Sequence, residues 1–173
     1  MVPSARPGNG FRSAVRHVRP DAVEGVWLQL ETYASPDTEF ELPDAEARGG
    51  RFNPPGRCPI LYMAKDSPLC RGAAIAWCGP FAPGCERVVL LYRVTLSRVL
   101  NLCDPKVRYA LGVTLEDLVG EDLSVPRSLG VAAFQEELEG ILYPRPATAH
   151  EVNLGVFRGQ VGVHDIAVVG RIT

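Results

Sequence analysis

Apolar positions along the chain fall into short blocks separated by Pro, Gly and charge. Ile60 to Ala64 (ILYMA) is an unbroken apolar run, and it predicts a short buried strand. The string that follows, SPLCRGAAIAW, opens on Ser67-Pro68. That pair is a helix-start signal, because Pro loses no hydrogen bond in a first turn. Leu69, Ala73 and Trp77 recur at every fourth position and predict the buried face of that helix, with Gly79 and Pro80 ending it. Val88 to Leu96 (VVLLYRVTL) predicts a longer strand, bounded upstream by Pro83 and Gly84.

Between Asn101 and Thr114 the string KVRYAL predicts a short helix closed by Gly112. A second short helix is predicted from Leu115 to Val119, with Thr114 as cap and Asp117 completing a capping box. Ser128 to Glu139 reads as a further helix, and Leu154–Phe157 and Val161–Val169 read as late strands. Phe11 to Val18 alternates loosely and reads as a first strand carrying Arg12. Residues 1–10 read as a flexible lead-in. Residues 35–59 read as a long loop with one short pairing segment at most, a kind of loop that often carries function. Strands at the two ends and short helices in the middle predict one α+β domain over residues 11–173.

Composition narrows the class. The chain has 173 residues, 46% hydrophobic, which is enough for one sizeable core. Its 17 Gly and 15 Pro follow no period, which excludes a collagen-like chain. Eighteen basic against 20 acidic residues leave a formal charge of −2, so no direct nucleic-acid binding is expected. Apart from Lys65 and Lys106 the basic residues are Arg, whose fork of donors suits phosphate or carboxylate. No apolar run is long enough to span a membrane, and Arg6, Arg12 and Arg16 are not followed by the apolar stretch of a signal peptide. Cys58, Cys70, Cys78, Cys85 and Cys103 are odd in number and irregularly spaced. They read as free, mostly buried thiols of a cytoplasmic protein. Cys78 and Cys85 lack a second metal half-site, and His17, His150 and His164 are far apart, so no metal is expected.

The most unusual string is Gly49-Gly50-Arg51-Phe52-Asn53-Pro54-Pro55-Gly56-Arg57. It is neither a dinucleotide fingerprint nor a phosphate-binding loop of the GKS/GKT kind. Its glycines permit close approach to a ligand, and its prolines stiffen the far side. Arg51 in such a loop is either preorganised for a phosphorylated partner or an exposed residue of a rigid turn. Tyr62, on the next strand, is either core or a ring that stacks on a ligand. His150-Glu151, before a late strand, enters the cleft or belongs to a solvated loop.

In order and spacing these strings resemble the RES domain family. The resemblance runs from Phe11-Arg12 through GGRFNPPG, ILYMA, LYRVTLSRVLNLCDP, LGVTLEDLVGEDL and GILYP to EVNLGVF, over roughly residues 10–160. It implies a central, mainly antiparallel split sheet similar to that of ADP-ribosyltransferases. It implies NAD+ as substrate, with cleavage of the nicotinamide–ribose bond by hydrolysis, phosphorolysis or ADP-ribose transfer. It also implies a toxin of a toxin–antitoxin pair, with a cognate antitoxin as partner; a homo-oligomer stays open. Under it Arg12, Arg51 and Tyr62 are the catalytic candidates. Arg12 and Arg51 would hold the pyrophosphate or ribose side, Tyr62 would pack on the nicotinamide or its ribose, and Asn53, Tyr143 and Arg145 would complete the binding set. The chain departs from the family twice. The family's helix glutamate is expected near residue 73, where Cys70-Arg71-Gly72-Ala73-Ala74 holds no carboxylate. Its serine is expected after Tyr143-Pro144, where Arg145 stands. Either another acid, such as Glu31, Glu39 or Glu41, has taken over, or the chain is a catalytically degenerate nucleotide-binding or protein-interaction module.

Overall fold

The computed structural model describes residues 10–34, 48–145 and 148–173. The proposed lead-in, apart from Gly10, and the loop acids Glu39 and Glu41 lie outside them. Helix α1 (Gly10–His17) is followed by strand β1 (Asp21–Ala34), the loop bearing GGRFNPPG, and β2 (Ile60–Lys65). Next come α2 (Pro68–Trp77), β3 (Gly79–Ala82) and β4 (Cys85–Asn101). Helices α3 (Pro105–Leu111), α4 (Leu115–Val119) and α5 (Ser124–Gln135) lead to β5 (Gly140–Arg145) and β6 (Thr148–Phe157). A 3-10 turn (Arg158–Gln160) and β7 (Ile166–Ile172) complete the order.

The α+β class and the mainly antiparallel sheet are as expected. Strand β1 pairs with β4 from Val23↔Leu96 to Ala34↔Cys85, and at its other edge with β2. Strand β2 pairs with β6, β6 with β5, and β5 returns to β4, so the strands close a ring. Only the last pairing, Val99↔Gly140 to Asn101↔Leu142, is parallel. Strands β3 and β7 add to β4 outside the ring. Side chains alternate in direction along each strand. One set, including Val23, Trp27, Leu61, Met63, Leu154 and Val156, fills the ring. The other set faces outward and carries two further clusters. Helices α1 and α3–α5 pack over β5 and β6 through Phe11, Leu111, Leu118, Leu129 and Phe157. Helix α2 packs Cys70 and Ala74 on Leu28 and Val89.

Caps and turns hold where the sequence placed them. The Ser67 hydroxyl accepts from the Cys70 amide at the start of α2. Thr114 and Asp117 form the capping box of α4, and Gly112 closes α3 in the left-handed region. Other expectations are corrected. Phe11–Val18 is not a strand: Phe11 and Val15, four apart, share the buried side of α1, so Arg12 stands on a helix. The buried face of α2 is Cys70 and Ala74, while Leu69 is 59% exposed. One residue is 100° of helix rotation, and packing against Leu28 and Val89 sets the phase. The helix expected from Ser128 to Glu139 spans Ser124–Gln135, because Glu137 takes a positive φ of 57° just beyond it. The last strand is Ile166–Ile172, not Val161–Val169. No described helix is long and apolar enough to cross a membrane.

Candidate functional site

The border between the two outward clusters runs along β2. Tyr62 packs toward the larger cluster, and Ala64, two residues on, packs under α2. The loop preceding β2 is fastened to this border. The Tyr62 hydroxyl donates to Asn53 Oδ1 at 2.7 Å and accepts from the Phe52 amide at 2.9 Å. Gly50 lies so close that a Cβ there would stand 2.6 Å from the Tyr62 ring. On the loop's other side Gly130 of α5 has no room for a side chain, since a Cβ would meet the Phe52 carbonyl oxygen at 1.6 Å. The Arg127 Nε donates to the Gly50 carbonyl at 3.1 Å.

Arg51 reaches across to α4. Its Nη1 donates to the carbonyls of Leu118 and Gly120, each at 2.9 Å, so it closes the helix's carbonyl end while its charge stays near Tyr143. Tyr143, on β5, is buried; its ring lies 4.7 Å from Phe52 and 6.5 Å, edge-on, from Tyr62. Burial pushes its phenol up to about 12, against a hydrogen bond from Asn153 and the nearby Arg51 that pull it down. Burial also raises the Tyr62 phenol. Both tyrosines are therefore neutral at physiological pH.

Beyond Tyr143 on the same face stands Arg145, whose Nη1 donates to the Cys70 sulfur at 3.7 Å. The Cys70 thiol donates to Glu151 Oε2 at 2.8 Å, and the Ser67 hydroxyl approaches the same oxygen at 3.3 Å. Burial, reinforced by the Glu151 hydrogen bond, raises the Cys70 thiol above its ordinary value and disfavours the thiolate. Asn153 pairs with Tyr143 in the sheet, and Glu151 lies two residues before it on the same side.

The candidate residues thus divide. Arg51, Asn53, Tyr62 and Tyr143 form one contiguous group, and Arg145 extends it toward α2. Arg12 is elsewhere. It is exposed on α1, its Nε bonded to Glu136 Oε1 at 2.6 Å, and it lines a groove of about 370 Å³ with Arg57, Arg127 and Pro54. Glu31 faces the ring side of β1, beside Gln29, Tyr92 and Arg158, with Leu28 and Cys70 on the opposite face. Only the backbone of His150 is described. Among the described residues no three His, Cys, Asp or Glu side chains gather as a metal site. Sequence reasoning missed Arg127 and Asn153. Nothing local marks Arg127, but Glu151 and Asn153 at alternate positions in EVNLGVF share one strand face.

Comparisons with known proteins agree with this architecture. Residues 26–171 match the RES domain model. A stretch of 102 residues is 31% identical to the NAD(+) phosphorylase MbcT of Mycobacterium tuberculosis (strain H37Rv), covering 56% of this chain and 55% of that protein. The same protein from Mycobacterium bovis matches equally. The chain spans about half the length of these relatives. In the crystal structure of the M. tuberculosis MbcT–MbcA toxin–antitoxin complex, one chain superposes with a TM-score of 0.72 at 20% identity, over 96% of this chain and 93% of that one. The fold is shared at that level, and the family match extends over most of the chain: this protein belongs to the RES domain family.

Proposed function

We propose that this chain consumes NAD+ by cleaving its nicotinamide–ribose bond and that it acts as the toxin of a toxin–antitoxin pair. The observation that carries this reading is the Arg51–Asn53–Tyr62–Tyr143 group, a loop locked onto an aromatic sheet face inside a RES domain. An aromatic platform of neutral phenols suits a planar pyridinium ring, and an adjacent guanidinium suits the pyrophosphate. The MbcT relatives, NAD(+) phosphorylases by name, support phosphate as the acceptor, and the MbcT–MbcA complex supports an antitoxin partner.

A second reading rests on Arg145. Arg145 follows Tyr143-Pro144 where the family resemblance implies a serine, and its guanidinium lies against Cys70, which favours nucleotide binding without turnover. One assay separates the two. Pure protein is incubated with NAD+, with and without phosphate, and nicotinamide and nucleotide products are resolved. Nicotinamide release, with ADP-ribose 1″-phosphate formed only when phosphate is present, is the expected result. Intact NAD+ after prolonged incubation with folded, NAD+-binding protein gives the second reading.

A further inference from the structure

We propose that Glu151 is the catalytic carboxylate of this site, acting from the sheet where helix α2 offers none; this rests on the NAD+-consuming reading above. Helix α2 packs Cys70 and Ala74 against the sheet and leaves Ala73 exposed, so its first turns bring the Cys70 thiol and no carboxylate to this region. Strand β6 supplies the charge from below. Glu151 Oε2 lies 2.8 Å from the Cys70 sulfur, so the carboxylate stands beside the helix turn that precedes Ala73. Asn153 and Tyr143 follow it along the same face, and Arg145 flanks it through Cys70. Glu31, the described alternative acid, lies on the opposite face of the sheet.

The step balances without any further cofactor. The C–N bond between nicotinamide and the adjoining ribose of NAD+ breaks, and its electron pair leaves on nicotinamide, which departs neutral. The ribosyl carbon becomes an oxocarbenium cation, facing the Glu151 carboxylate. A phosphate or water oxygen then bonds to that carbon, and the acceptor's proton passes to Glu151 and on to solvent.

Two variants test this against the duller role of anchoring α2. Glu151→Gln keeps the shape and the contact with Cys70 while removing the charge. It is expected to lower the rate of nicotinamide release at least about 100-fold, with NAD+ affinity by calorimetry changed less than about threefold. Cys70→Ala deletes the shorter of the two contacts that tie Glu151 to the start of α2 and leaves the carboxylate, so release is expected to stay within about threefold of the parent. Glu151→Gln with parental turnover overturns the proposal and leaves the NAD+ reading standing. So does Cys70→Ala losing as much turnover as Glu151→Gln. A parent protein that binds NAD+ and never turns it over removes both.

Discussion

The Tyr62 hydroxyl and the Asn53 side chain hold each other at 2.7 Å, and with the Phe52 amide they pin the GGRFN turn to strand β2. The phenol is therefore committed to the loop, with both its donor and its acceptor capacity in use. Tyr62→Phe keeps the ring and removes the pin, leaving a largely buried Asn53 oxygen and the Phe52 amide short of a partner. A stability loss of about 1–3 kcal/mol is expected in urea unfolding, with NAD+ affinity falling as the loop loosens.

Gly130 is a matter of space. Its helix lies against the Phe52 carbonyl with no room for a methyl group, and the obstacle is backbone that cannot swing aside. Gly130→Ala gains helix propensity yet is expected to destabilise by about 3 kcal/mol or more, because α5 must lift from the loop. A urea midpoint equal to that of the parent would contradict the close packing.

Arg51 has a structural task besides any contact with substrate. Arg51→Ala leaves the Leu118 and Gly120 carbonyls without their donor, so a drop in melting temperature accompanies lost turnover. Arg51→Lys keeps the charge and loses the fork, and most of the turnover is expected to go with it. Parallel measurement of melting temperature and nicotinamide release on both variants separates the two tasks.

The Arg12–Glu136–Arg16 cluster gives a pH signature. Hydrogen bonds from Arg16 and Arg12 hold the Glu136 carboxyl down to about 2, from an ordinary value near 4.5. A depressed carboxylate adds stability that is fully present above its unfolded pKa and is lost as pH falls through the folded one. Glu136→Gln is thus expected to melt lower than the parent at pH 7, with the gap closing between about pH 4.5 and pH 2. A gap independent of pH would show that the lost interaction is steric.

The helix punctuation was legible in the sequence because it is local. Ser67, Thr114–Asp117 and Gly112 act within one turn of their own position, and each sits as its chemistry requires. The family strings gave the loop and the aromatic platform for the same reason, being short and contiguous. Strand β1 carried no such mark: Asp21, Glu24, Gln29 and Glu31 interrupt its apolar positions, and only pairing with β4 makes it a strand. The buried face of α2 was misread by one residue because the sheet beneath it fixes the rotation. Glu151 and Cys70 are 81 residues apart, so their meeting is a product of topology that no local pattern encodes.

The ring of strands has a kinetic consequence. Its longest-range pair joins β2 to β6, from Ile60↔Phe157 to Ala64↔Asn153, and the chain between them carries four helices and three strands that must be laid down before the two can meet. That encounter is long-range, and long-range pairing is slow to form, so refolding is expected on the millisecond-to-second scale rather than in microseconds. Tyr62 lies within that pairing, and Tyr143 lies on the next strand opposite Asn153. The proposed binding face is then among the final parts of the molecule to be assembled, and under the proposed function a newly made chain would act only after the rest of its architecture is in place.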